Sequence, residues 1–507
     1  MWRNLSILHR YVVFLFGFAS IAAASAFAGE PGEALIEHVC NGGAVRCGTP
    51  SVVQSPLLGV EQRPVLPLVK RSPSGRFDVH YARSGDDATV ETAVDSALSI
   101  LDRMWELQID QMGYRPPPPD QDGVIDVYMK NLRLFYGMTV PEQPGGRGVA
   151  SYMVIENDFQ EPVFLTKGLD ALRVTLAHEF FHVIQFGYRY APLQIGRYEW
   201  SSVWMEDVAF DDINDYHYYL STYFQDPQEP LLRENGSREY ATALFLFMLD
   251  QLHGPDLVRQ AWERFESRPG NLLEYFLLEA VENGDNLENI ASTWFAWSLF
   301  TGLRSVPGFG WEEAAWYPMI ELPTLSPGGQ YSAEAGYWGM VAARTEPFAG
   351  EIEVSLYDST EALPAAAVED GGEVQFGPLR QGREWYGANA FIGAVSFQRV
   401  GAKTMVFNLD EFSVLPSDFI ISSVWPNPFN ERVQWEVTVV EGGKLRFFLY
   451  DVLGREVFFH RYVVPAGRHT FFWDGRLQDG RPGPSGVYIL RVMSPDSQAA
   501  HRLVKLR

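Results

Sequence analysis

Val174-Thr175-Leu176-Ala177-His178-Glu179-Phe180-Phe181-His182-Val183-Ile184-Gln185-Phe186-Gly187-Tyr188 is the stretch on which the rest of the chain turns. It reads as a helix in an apolar setting. Positions four apart share a helix face, so His178 and His182 can reach one ion while Glu179 flanks its open position. Zinc is the natural guest for such a pair, and a catalytic zinc keeps three protein ligands, so a third must come from elsewhere. The motif therefore implies metal-assisted hydrolysis of a peptide bond, with Glu179 as general base and then acid.

The next strong helical run, Arg197-Tyr198-Glu199-Trp200-Ser201-Ser202-Val203-Trp204-Met205-Glu206-Asp207, offers two carboxylates seven positions apart and hence on nearly one face. In the common Glu-zincin arrangement a small residue follows the ligand Glu by three positions, which lets the second helix come close. Glu199 before Ser202 fits, and so does Glu206 before Ala209, so either can be the third ligand. Asp207, Asp211 and Asp212 are candidates to hold a ligand histidine from behind.

Outward from the motif, Phe77-Asp78-Val79-His80-Tyr81 alternates as a strand. A helical run follows over 89–112 with Val94, Leu98, Leu101, Met104 and Leu107 on one side, and Pro116 to Pro119 stop it. Strands are expected at 124–129 and 150–155, and helices from 169 to about 305. The predicted fold is an α+β zincin-like domain followed by two all-β sandwich domains, the last immunoglobulin-like. The division read from the sequence is a signal peptide over 1–28, a prosegment or arm over 29–71, the metallopeptidase domain over 72–325, a β-sandwich over 326–415 and a terminal domain over 416–507.

Lys and Arg number 40 against 64 acidic residues in 507, a net charge of −24, which argues against nucleic-acid and anionic-membrane partners. Arg3 and Arg10 precede an apolar run that ends in Ala26-Phe27-Ala28, so export with cleavage after Ala28 is expected, and no later apolar run is long enough to span a bilayer. The two cysteines, Cys40 and Cys47, follow closely, and in an exported protein a local disulfide is the default reading. The dibasic pair Lys70-Arg71 marks the expected end of the arm.

Three resemblances bear on function. His178-Glu-Phe-Phe-His182-Val-Ile-Gln185-Phe, Trp204-Met-Glu-Asp207 and Asp211-Asp-Ile-Asn-Asp-Tyr216 resemble the MXAN_6640-like family of secreted bacterial proteins classed as metallopeptidases. Its members carry Glu-Ala-Thr-Ala-Thr before Trp-Met-Glu-Asp, and residue by residue that Glu falls on Glu199, whereas this chain has Trp200-Ser201-Ser202-Val203 where small residues are usual. Similar peptidases place a phenol near the metal, which makes Tyr240, at the start of a downstream helix, the candidate oxyanion donor; otherwise it is a core residue. Val45-Arg46-Cys47-Gly48-Thr49-Pro50-Ser51 is similar to the segment by which matrix metalloproteinase proforms place a thiolate on zinc, the alternative to a Cys40–Cys47 disulfide.

The last ninety or so residues, with Trp425-Pro426-Asn427-Pro428-Phe429-Asn430, Asp451 to Gly454, Trp473-Asp474-Gly475 and Ser485-Gly486-Val487-Tyr488, resemble type IX secretion sorting domains and flagellar hook-capping modules. That resemblance implies the type IX machinery as a partner and a secreted or surface-attached protein. Protein or peptide is the expected substrate. The competing readings are a catalytically silent adhesin that keeps the fold, and a glycosidase with paired carboxylates, which leaves the histidine pair without a purpose. Calcium at Asp120, Asp122 and Asp126 is a further possibility read from the acidic loop.

Overall fold

The computed structural model describes residues 47–54, 63–118, 122–142, 147–326, 329–345, 349–351, 362–370, 372–379, 384–386, 389–397, 399, 401–408, 419–439, 442–452, 454–494 and 498–506. The expected signal peptide, Cys40 and Asp120 lie outside them. The chain divides into two compact units, the first Met1–Tyr223 with Leu232–Gly284, the second Phe224–Leu231 with Asp285–Arg507. The whole is mixed α/β with sandwich-like sheets.

The first unit is built on a five-stranded sheet of β1 (Leu68–Arg71), β2 (Phe77–Tyr81), β3 (Ile125–Lys130), β4 (Gly137–Pro141) and β5 (Ser151–Glu156), in the order β1-β2-β3-β5-β4. β2, β3 and β5 run parallel, while β1 and β4 are antiparallel edge strands. β5 is buried along its whole length, as expected of a parallel-sheet strand covered on both faces. β1 and β4 were not legible as strands. β1 contains the Lys70-Arg71 pair, which is therefore part of the sheet: Lys70 pairs with Asp95 and Arg71 with Asp78.

A short helix α1 (Thr49–Gln54) packs on β4, and α2 (Glu91–Trp105) buries Val94, Leu98, Leu101 and Met104 as its period requires. Leu107 is only half-buried. The helix widens into a π turn over Glu106–Gln111, which rephases the buried side onto Gln108 and Ile109. Gln108 then donates through Nε2 to the Ala177 carbonyl of the central helix.

That helix, α3 (Gly168–Tyr188), is buried continuously over 174–188. Phe180 packs edge-on against Phe77 of β2, and Phe181 against Tyr114. Burial of each phenylalanine contributes about 2 kcal/mol. α3 lies against β4 and β5 on one side and α4 (Ile195–Ala209) on the other. α5 (Arg238–Ala241), α6 (Leu244–His253), α7 (Asp256–Ser267) and α8 (Leu272–Glu282) complete the unit.

In the second unit α9 (Leu287–Leu299) packs on a five-stranded sheet whose strands lie in the order Glu373–Pro378, Ala362–Asp370, Asn389–Ser396, Met340–Thr345 and Thr324–Leu325. The sequence division at 325 places this helix with the preceding domain; its apolar side is buried on the sheet instead. The terminal domain is a two-layer sandwich. Phe419–Trp425, Val433–Val439 and Gly467–Trp473 form one sheet, and Glu456–Val464, Gly443–Asp451, Gly486–Met493 and Gln498–Lys505 the other. Its core gathers Trp435, Phe447, Leu449, Trp473 and Leu490, and Gly454 and Gly475 take the positive φ their turns need.

Candidate metal centre and active site

α3 turns His178, Glu179 and His182 toward β4 and α4, and all three side chains are buried. α4 brings Glu199 across from the facing helix: its Oε2 lies 3.0 Å from His178 Nε2 and its Oε1 3.2 Å from His182 Nε2. Cys47 Sγ lies 3.5 Å from His182 Nε2. One ligand atom from each of Cys47, His178, His182 and Glu199 falls within 4.8 Å of all the others, so this buried group could hold a metal ion.

The hydrogen bonds behind the rings bear on that fit. His178 Nδ1 meets Glu206 Oε1 at 2.5 Å, and His182 Nδ1 meets Gln185 Oε1 at 2.7 Å. Two acceptors placed there hold the ring protons on Nδ1, which turns both Nε2 lone pairs inward. Those lone pairs face the Glu199 carboxylate, whose buried Oε1 accepts no hydrogen bond. A cation placed between these facing atoms, such as a metal ion, would satisfy them. Burial raises the Glu199 carboxyl, yet His182 and His178 hold it down at about 2. Burial lowers His182, yet Glu199 outweighs it and keeps the ring above its ordinary value.

The helix pair approaches closely because Ser201 and Ser202 lie at the contact, both fully buried. Gln185 donates through Nε2 to Tyr198 O and to both hydroxyls, at 3.0, 3.0 and 3.2 Å, which fixes its Oε1 toward His182. The two carboxylates of α4 thus take different places, Glu199 in the cluster and Glu206 behind His178. The place behind the histidines that the sequence offered to Asp207, Asp211 and Asp212 belongs to Glu206 and Gln185; Asp211 and Asp212 are exposed.

Glu179 points to the other side of the cluster. Thr139 of β4 places its hydroxyl 2.7 Å from Glu179 Oε2 and 2.9 Å from the Glu179 carbonyl. Burial raises the Glu179 carboxyl, with His182 and Thr139 acting against it. This proximity depends on Gly137: a Cβ there would meet Thr175 Cγ2 at 2.8 Å and Glu179 Cγ at 2.9 Å. Tyr240 of α5 is buried with its ring stacked 6.4 Å from His178. Burial first, then Glu199, pushes its phenol well above the ordinary value, so it stays a proton donor.

Thr139 and Thr49 escape any motif, because a threonine in a strand and another beside a proline carry no spacing that points to a base. Cys47 is a free buried thiol among the described residues, and Cys40 lies outside them. The acidic loop holds no ion-binding group among the described residues: Asp122 accepts the Val124 amide, and Asp126 is taken by Arg63 and by His80 Nε2.

No family model matches the chain, and no curated relative matches it. Among solved structures, it is similar over part of its length to PorZ, a surface component of the type IX secretion system of Porphyromonas gingivalis, with 21% identity, 20% of this chain and 14% of that one, and a TM-score of 0.15. The hook-capping protein FlgD of Xanthomonas campestris matches with 22% identity over 18% of this chain and 62% of that one, TM-score 0.13. Dimeric latent PorU of Porphyromonas gingivalis matches with 12% identity over 36% and 19%, TM-score 0.18. The chain spans less than two thirds of the length of each of these structures, and each likeness is confined to a minor part of this chain.

Proposed function

We propose that this chain is a secreted zinc-dependent peptidase with a zincin-like catalytic unit. The observation that carries the reading is the buried convergence of His178, His182 and Glu199 with Glu179 one residue from a ligand. Two imidazoles and a carboxylate are a zinc donor set, and His178, His182 and Glu199 are the residues that would hold it. When bound, zinc supplies Lewis acidity to the scissile carbonyl and lowers the pKa of the attacking water.

The chain's own residues do the rest. Glu179 accepts the proton from the attacking water and passes it to the leaving amine, its raised pKa suiting it to do both. Thr139 holds Glu179 Oε2 and so fixes the orientation of the carboxylate. Tyr240 donates its phenol proton toward the oxygen on which charge develops. Glu206 and Gln185 keep the two rings in the ligand tautomer. An endopeptidase mode is the simpler assignment, since no amine-anchoring motif is present in the sequence.

The terminal sandwich, through its sequence resemblance, is assigned to delivery by a type IX machinery and not to catalysis. No helix among the described residues is long and apolar enough to cross a membrane. Zinc content and casein hydrolysis, measured together after removal of residues 1–62, test the reading. Glu179→Gln is expected to keep its zinc and lose about 10²- to 10⁴-fold in rate. Zinc in both proteins with hydrolysis in neither would favour the silent adhesin.

A further inference from the structure

Resting on that reading of the metal site, we propose that residues 47–49 are a built-in two-point lock. Cys47 supplies a fourth protein ligand that closes the site, and Thr49 caps the Glu179 base, so the full chain is latent until this segment lifts off β4.

Three groups that the reaction needs, His182, Tyr240 and Glu179, are already engaged by this segment. Cys47 is buried, and its sulfur stands in the ligand cluster beside His182 Nε2 while accepting the Thr49 amide at 3.4 Å. Its own amide donates to the Tyr240 hydroxyl at 3.3 Å. Gly48 N donates to Gly137 O at 2.8 Å, with Cys47 and Gly137 joined as a parallel bridge. The Thr49 hydroxyl accepts the Thr139 amide at 2.8 Å and donates to Glu179 Oε2 at 3.2 Å.

The segment thus meets the edge of the sheet at a single bridge before α1 begins, so main-chain bonds hold it there while the Cys47 and Thr49 side chains reach the cluster and the base. The groups it aims at the base and at the ligands are a hydroxyl and a thiol, so neither offers a scissile carbonyl. A zinc held by four protein ligands is a closed, structural site, whereas one held by three has room for water. On binding the ion the thiol gives its proton to bulk water, and a water regains that position when the segment leaves.

Two anchors make a prediction that a single thiol does not. Loss of Cys47 frees the coordination position but leaves Thr49 on Glu179 and Gly48 on β4, so opening is partial until both side chains are changed.

The test uses the full chain with Cys40→Ser, leaving Cys47 as its one thiol, loaded with cobalt in place of zinc. A thiolate-to-cobalt charge-transfer band is expected, lost in Cys47→Ser and in Cys47→Ala while the d–d bands persist; the alanine variant guards against the serine oxygen acting as ligand. Acetohydroxamate affinity is expected to rise in Cys47→Ala and again in Cys47→Ala/Thr49→Val, by about 100-fold in all if the open form is about 1% of the locked chain. Cobalt bound without the charge-transfer band, or unchanged hydroxamate affinity in the double variant, would overturn the lock and leave the metal site standing. Failure of the chain to bind cobalt at all would remove both.

Discussion

Glu206 and Glu199 carry the same functional group on one helix, yet their geometry gives them separable effects. Glu199→Ala removes a ligand and is expected to abolish zinc retention on dialysis. Glu206→Gln, which offers the Nδ1–H of His178 a weaker acceptor, is expected to weaken zinc about 10- to 100-fold without abolishing it, read by competition with a chelator. A third carboxylate tests electrostatics away from the metal. Burial first pushes Glu239 up to about 7, against the amides of Asn235 and Gly236 that it caps. Its folded pKa lies above its unfolded one, so the stability it contributes is present below the unfolded value and is lost as pH rises through about 7. Glu239→Gln should therefore raise the melting temperature relative to the parent at about pH 8 and lose that advantage by about pH 4. Of these residues, His178, Glu179 and His182 were legible because the His-Glu-x-x-His spacing lies within about one helix turn. Gln185 stands in the same helix and was visible as a letter, but its role depends on Ser201 and Ser202 across the interface.

At the scale of elements, the site is made by two close approaches. α4 reaches α3 over Ser201 and Ser202, so Ser202→Leu should part the helices, withdraw Glu199 and cost zinc, measured as metal content of the purified protein. β4 reaches α3 over Gly137, so Gly137→Ala should destabilise the first unit by about 1–3 kcal/mol in denaturant unfolding and depress turnover by displacing Thr139 from Glu179. The strand that matters most to Glu179 was the one the sequence hid. Gly137-Met138-Thr139-Val140-Pro141 has glycine at one end and proline at the other, composition that reads as loop, and it becomes a strand by pairing with β5 on one side. The other departure, the π turn after α2, was hidden for a similar reason: the period of three and four continues to Leu107, and only the packing of Gln108 on α3 decides that the helix must widen there.

At the scale of the whole molecule, the terminal sandwich has its own core, centred on Trp435 and Trp473, and the metal cluster lies wholly in the first unit. Trp473→Ala should cost the sandwich about 3–5 kcal/mol, seen as a separate early transition in calorimetry, with zinc content unchanged. A single broadened transition with lost zinc would contradict that independence. The strand spacing of this sandwich, the helical character of α3 and the pairing of its histidines are legible in the sequence alone, because each follows from a period of two or of 3.6 within one element. Packing between elements is what places Glu199 in the cluster and Glu206 behind it, Thr139 on Glu179, and Cys47 beside His182. Those outcomes depend on which elements pack together across long stretches of chain, and no local period carries that information.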